Sequence, residues 1–532
     1  MKGPRRPPCW RFARAPSQAR ALLAGTMLVT RRCCLVITVW ASALTAQVPY
    51  GQGSPGGTGT VPRLAANQSF AGNAAFSYVV DRARPTAPAA LFLAVFPAST
   101  SIAGTRVLID LGAGSFLFSA PLALDANGRA TLPGGLGGTP TGLIGARIYL
   151  QAAVLEPPGT DPGLATTNGL AIEVTEPPLV FLGTDVRAFP SEPYALIDPR
   201  TGTVVLQGTA PSADGVTGAV FANGGRDLFV ASRERGTIER ADLRSGTPVW
   251  TTFASLGTEV EGLAIDRRRG RLFTMAGSPF GDRDLVVFDA DPASPSFGTE
   301  LARRPAVVRF LSASHWDLAV AADRLALHAS SAAGQELRIL DTDPASPTFL
   351  QAVDVTPIPE LNPVFNSLTV LRIRGDGEMA FALLRPRIAM GASGVQRYDL
   401  LGRRWIDHNA AVPGIQPIGP LSSPPGPLVA SRDFDIARDG SFGTVTDHDA
   451  LVRIEMDRSD PDSWRLLRLP GAWLPSADYR HAILGAGDRA MLVRSSQVPQ
   501  EATVLIVDAT DGRILSTNVL PGATLPSVFA RR

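Results

Sequence analysis

The clearest candidates for chemistry in this chain are carboxylates in repeated pairs. Residues 285–297 read LVVFDADPASPSF and residues 337–349 read LRILDTDPASPTF, identical at eight of thirteen positions and offset by 52. Each copy holds an Asp-x-Asp pair, Asp289-x-Asp291 and Asp341-x-Asp343. Acid spacing of that kind suits Ca²⁺. Pro-Ala-Ser-Pro follows at once in both copies, which suits a rigid turn whose backbone N–H groups bond the first carboxylate. Asp447-His448-Asp449 poses the same choice, a divalent-metal site or a solvated turn. The remaining histidines, His315, His328, His408 and His481, are scattered.

Other chemistries are excluded by residue type. Cys9, Cys33, Cys34 and Lys2 are the chain's only cysteines and lysine, and all lie within the first 46 residues. The remainder therefore has no thiol nucleophile, thiolate metal site, Schiff-base lysine or phosphate-loop lysine. H-E-x-x-H, G-x-S-x-G, an EF-hand loop and paired C-x-x-C are also missing. Gly51-x-Gly53-x-x-Gly56 has the dinucleotide-binding spacing, but Pro55 interrupts it and no strand–helix pattern flanks it.

Strands must position the carboxylates. The 532 residues include 52 glycines and 45 prolines, and only 18% are charged. This composition is that of a turn-rich β protein, and the length implies more than one domain. Residues 1–46 carry eight basic and no acidic residues and contain an apolar run ending near Ala43 and Ala46. They read as a cleaved export signal, by either the general or the twin-arginine route, and the run is too short for a membrane span. Removing them leaves 42 basic against 48 acidic residues, which speaks against a nucleic-acid partner.

Residues 47–62 read as a Gly-rich linker. Residues 63–175 alternate short apolar runs with turns, as in an antiparallel β-sandwich. Asp125-Ala-Asn-Gly128 predicts a tight hairpin between 119–124 and 129–132. Residues 176–178, Glu-Pro-Pro, form a stiff second linker. From 179 to 532 a unit recurs in which an apolar strand ends in an acid, turns and starts again. The anchors are Asp198, Asp242, Asp289, Asp341, Asp399, Glu455 and Asp508, with steps of 44 to 58 residues. Repeats of that length made of strands and turns predict four-stranded propeller blades, and seven anchors predict seven blades. Pro526–Ala530 resembles Thr217–Ala222 and supplies the inner strand that the first blade lacks, closing the ring. The predicted class is all-β: a sandwich followed by a seven-bladed β-propeller closed by the C-terminal strand.

Two resemblances fit this organisation. LFVAS…TIERADLRSGTPV and TVLIVDATDGRIL resemble the YVTN-type, WD40-like propeller superfamily over residues 179–532. The stretch from Tyr50-Gly-Gln-Gly to LATTNGLAIEV resembles a small module of exported proteins in planctomycete-like bacteria. The propeller resemblance implies binding across one face more often than catalysis.

Aligning the blades places Thr217, Glu261, His315 with Trp316, Asn366, Asp433, Arg480 and Pro526 where the inner strands begin, around the channel mouth. Such a ring can hold a small polar ligand, or it can simply be polar because a channel mouth is solvated. Glu261, Asn366 and Asp433 are loosely similar to the metal-holding ring of lactone-hydrolysing propellers. The leading expectation is an exported, non-catalytic binding or scaffold protein without a required cofactor. Its partner is a protein, peptide or polysaccharide of the cell envelope. The alternative is a metal-dependent hydrolase of a lactone- or sugar-like substrate at the channel mouth.

Overall fold

The computed structural model describes residues 47–184, 192–308, 318–406 and 433–531, less some short segments within those spans. The proposed export signal, all three cysteines, His315, Trp316, His408, His448 and Asp449 lie outside the described residues. The chain is all-β, and the strands after residue 179 pair antiparallel. Among the described residues no helix is long and apolar enough to cross a membrane.

Among the described residues, strands from 180 onward form seven four-stranded sheets. The first strands of sheets two to seven are Val216–Ala222, Val260–Asp266, Leu318–Ala321, Asn366–Ile373, Asp433–Ile436 and Tyr479–Leu484. Each is followed in its sheet by the next three strands of the chain. Sheet one differs: its first strand is the C-terminal Pro526–Arg531, paired with Val180–Thr184 and then Glu192–Ile197 and Val204–Ala210. The seven first strands touch in a closed cycle, with Pro526–Arg531 between those of sheets seven and two.

Residue type follows position in this arrangement. Val216–Ala222 and Val260–Asp266 are buried at every residue, as strands covered on both faces require. The outermost strand Val204–Ala210 alternates exposed and half-buried positions. The crowding near the centre shows at Gly218, where a Cβ would stand 2.7 Å from the Leu263 backbone nitrogen. One apolar cluster joins sheets one, five, six and seven through Val180, Ile197, Phe381, Phe434, Val445, Met491 and Ile506. A second joins sheets three and four through Phe273, Val287, Leu325 and Leu340.

Between residues 47 and 175 lie a six-stranded sheet and a three-stranded sheet, with the separate hairpin Pro97–Ile102 and Thr105–Ile109. Leu64 and Val80 from the small sheet, and Phe76 just ahead of its strand Ser77–Asp81, share one core with Leu91, Leu150, Val154 and Ile172 from the large one. Two expectations change here. The segment 47–62 begins as a strand, Gln47–Tyr50, paired antiparallel with Gly169–Glu173. The Asp125–Gly128 turn forms: Gly128 has φ 70°, and Asp125 Oδ1 accepts the N–H groups of Asn127 and Arg129. Its flanking strands do not pair with each other. Phe116–Ala123 joins the large sheet and Ala130–Pro133 the small one. The turn fixes a local reversal, while partners are chosen by burial of the apolar faces.

The second linker is anchored to the sheets that follow. The Glu176 N–H donates to the Gly224 carbonyl at 2.7 Å, and its carboxylate lies 3.2 Å from Arg226 Nε. Arg147 donates to the Arg268 carbonyl at 3.1 Å, and the Arg268 guanidinium lies 5.4 Å from the Tyr50 ring centroid. The early sheets therefore rest on the turns that follow the first strands of sheets two and three.

Candidate functional site

Backbone pairing gives each predicted ring residue a level along its first strand. Glu261 pairs with Met275, Asp433 with Thr446 and Arg480 with Val493. Each partner is the fifth residue of its own strand, so these three positions share one level. Thr217 lies beside that level in a bulge between Val216 and Gly218. Asn366 does not join them. It pairs with Pro386, the last residue of its partner strand, and a bulge follows between Leu368 and Val370. In sheet five the common level falls at Val370, opposite Leu383. The sequence alignment could not see the extra residues ahead of that bulge. By the same count the closing strand is out by one: Ala530, not Phe529, pairs with the second residue of its partner strand, Phe181, as Phe221 pairs with Leu228.

Two ring residues have described side chains, and both are tied into the interior. Thr217 Oγ1 donates to the Val260 carbonyl at 2.8 Å, stitching the first strand of sheet two to that of sheet three. Glu261 is 6% exposed. Its Oε1 lies 2.9 Å from Arg233 NH2, and its Oε2 lies 3.2 Å from Arg283 NH1. Arg283 NH2 also stands 3.6 Å from Glu259. With an arginine on each oxygen, Glu261 anchors a buried ion cluster and is not placed as a metal ligand. Arg233 follows the second strand of sheet two, and Arg283 opens the third strand of sheet three. No local pattern announces either partner. A second missed pair links neighbouring first strands: Arg372 Nε lies 3.5 Å from Asp435 Oδ1, both groups buried. Arg372 pairs with Phe381 and Asp435 with Thr444, each the third residue of its strand, so this pair also shares a level.

At the opposite end of the first strands the repeated aspartates cap turns. Asp289 Oδ1 accepts the Asp291 N–H at 3.0 Å, and Oδ2 accepts the Ser296 hydroxyl at 2.6 Å. Asp341 repeats this with the Asp343 N–H at 2.9 Å and Thr348 Oγ1 at 2.7 Å. Burial works against both charges. Hydrogen bonds from Ser294 and Ser296, and from Ser346 and Thr348, outweigh it and hold both carboxyls below their ordinary pKa. Asp242, Asp399 and Asp508 also accept backbone N–H groups of their turns. Among the described residues no three His, Cys, Asp or Glu side chains converge.

No family model matches the chain, and no curated protein matches it. Solved structures do share its architecture, and those named are β-propeller proteins. One is the periplasmic gluconolactonase of Pseudomonas aeruginosa, at 16% identity, TM-score 0.45, covering 66% of this chain and 99% of that one. A protein described as a 6-phosphogluconolactonase, from Bacteroides fragilis, gives 10% identity and TM-score 0.44, covering 67% and 98%. Hydrazine synthase of Kuenenia stuttgartiensis gives 10% and 0.42, covering 64% and 95%. The leading expectation of a non-catalytic binding or scaffold protein is set aside as a correction, since the named structures include lactonases, the class of the alternative. At these identities and TM-scores the likeness carries no activity over to this chain.

Proposed function

We propose that this chain is a seven-bladed β-propeller, preceded by a β-sandwich over 63–175 and closed by its C-terminal strand. In this reading it hydrolyses a lactone- or sugar-like ester at the end of the ring where the first strands begin. The blade count rests on the seven four-stranded sheets and the closed cycle of first strands. The sandwich rests on the core shared by the two early sheets.

The observation that carries the activity is the common level of Asp433 and Arg480 on neighbouring first strands. Residues of these two types at one level suit ester hydrolysis. Asp433 takes a proton from water as the water attacks the lactone carbonyl. Arg480 stabilises the oxyanion that forms, and the ring opens as the C–O bond breaks and the alkoxide is protonated. In this reading the stretch 1–46 is an export signal and the reaction runs outside the cytoplasm.

The test is hydrolysis of a panel of aldonolactones, followed by proton release, with and without added divalent cations. Asp433→Asn and Arg480→Gln are each expected to lower kcat by about 100-fold or more, in line with loss of a general base or an oxyanion donor. No turnover by the wild-type chain on any lactone, or Asp433→Asn equal to wild type, overturns the reading.

A further inference from the structure

The hairpin of Pro97–Ile102 and Thr105–Ile109 lies against the large early sheet, touching its strands Pro88–Ala94, Arg147–Leu155 and Leu164–Thr166. A pocket of about 340 Å³ remains between them. This is the small end of the roughly 300–1,000 Å³ range of small-molecule sites. Thr105, Val107, Ile109 and Leu111 line it, and side chains two apart on a strand share a face. At the rise of an extended strand, Thr105 to Ile109 alone spans about 13 Å. So small a volume over that length is a narrow slot. Phe92 lines the sheet side, its ring 6.4 Å from that of Phe116. Exposure marks the mouth: Ile102 and Leu111 are 55% and 46% exposed, while Ile109, Gln151 and Thr166 are buried.

The polar side chains of the lining are spent inside the fold. Gln151 Oε1 accepts the Leu108 N–H at 2.9 Å, and its Nε2 donates to the Thr167 and Arg106 carbonyls at 2.9 and 3.2 Å. Thr166 Oγ1 donates to the Arg106 carbonyl at 3.0 Å and accepts the Ser54 N–H at 3.0 Å. Thr105 Oγ1 donates to the Leu164 carbonyl at 3.5 Å. None of the described lining residues is charged. A water held in a cavity needs about two to four polar partners, and these side chains are already engaged. A sugar or a peptide backbone entering the slot would bury polar groups at a cost for the same reason.

We propose that this slot binds one unbranched hydrocarbon chain of about eight to twelve carbons, the tail of a lipid-like molecule whose polar head stays in water at the mouth. A cavity of about 150 Å³ holds benzene, so one of about 340 Å³ takes roughly twice as many carbons. The narrow, strand-long shape favours a chain over fused rings. The site belongs to the early sheets, away from Asp433 and Arg480, so it stands or falls independently of the hydrolase reading.

Calorimetric titration of the full chain with 1-alkanols from hexanol to hexadecanol, kept below self-association, tests it. Affinity is expected to rise about fourfold per methylene, the increment of a buried CH₂ group, and to level near dodecanol once the slot is full. Decanol and decanoate are expected to bind alike, because the head is outside. Ala153→Leu, a half-buried wall residue enlarged into the slot, is expected to weaken decanol binding by about tenfold or more. Leu111→Asp decides the matter if Ala153→Leu melts early, since Leu111 is exposed. It is expected to weaken binding about fivefold with an unchanged melting temperature. No binding by any chain, affinity flat with length, or a rise that continues through hexadecanol as for partition onto a surface overturns the proposal. So does naphthalene binding tighter than decanol, a more than tenfold preference between decanol and decanoate, or unchanged affinity in Leu111→Asp.

Discussion

Carboxylates at the two ends of the first strands are satisfied in opposite ways. Where the strands begin, Glu261 is buried and answered by two arginines from different strands. At the turn end, Asp289 and Asp341 are answered by backbone N–H groups and hydroxyls within seven residues of themselves. The first arrangement depends on the assembled sheets. The second forms wherever that short sequence folds into its turn. Damage at one end should therefore unsettle neighbouring sheets, and damage at the other should stay local.

The sharpest way to break this comparison is Glu261→Ala. It removes the counter-charge of the buried Arg233 and leaves the buried Arg283 only Glu259, 3.6 Å away, and breaking a buried pair by removing one partner costs about 3–5 kcal/mol. Denaturant unfolding should show the unfolding free energy falling by that amount. A loss below about 1 kcal/mol would mean that water reaches the cluster and that the two ends do not differ.

The same contrast decides what was legible in the sequence. The third-strand acids were readable because their partners lie a few residues on, and Asp242, Asp289, Asp341, Asp399 and Asp508 all cap as their turns require. Strand content and the seven repeats were readable for the same reason, being local patterns repeated at near-constant spacing. Arg233 and Arg283 were not, because their partner is fixed by which sheets become neighbours. Asn366 was misplaced because a bulge changes the count along a strand without changing its apolar pattern. The diverging strands after Asp125–Gly128 show the same limit, a correct turn with the wrong pairing.

The duplicated turns sharpen the comparison from within. Nine residues after the capping aspartate, both copies turn through positive φ: Gly298 at 81° in the first and Leu350 at 58° in the second. The second copy tolerates leucine because that side chain is 4% exposed and packs in the core of sheets three and four. Gly298→Ala has no such compensation. Its Cβ would meet Phe253 only at ordinary contact distance, 3.8 Å. The cost should be the backbone term alone, about 1–2 kcal/mol. Thermal unfolding of this single variant checks it, and an unchanged melting temperature would show that the first turn is free to relax where the second is not.

The smallest effect expected is the charge of the caps themselves, and pH isolates it. Asp289 and Asp341 hold their carboxyls below the ordinary value in the folded chain. A group depressed in this way stabilises the fold above its unfolded pKa, about 3.9 for aspartate, and loses that contribution as pH falls through the lower folded value. Asp341→Ala should therefore cost about 1 kcal/mol at neutral pH, the scale of a lost side-chain bond to the backbone. The difference from wild type should stay constant down to about pH 4 and then shrink as the wild-type carboxylate takes up its proton. Asp289→Ala should trace the same curve, because its turn has the same bonds. Denaturant midpoints of the three proteins between pH 3 and pH 7 give the answer. A difference that grows on acidification would mean that the aspartates are protonated in the folded chain. Unequal curves for the two variants would mean that Arg271, which acts on Asp289, and Arg324, 3.7 Å from Asp341 Oδ1, do not act equally on the two turns.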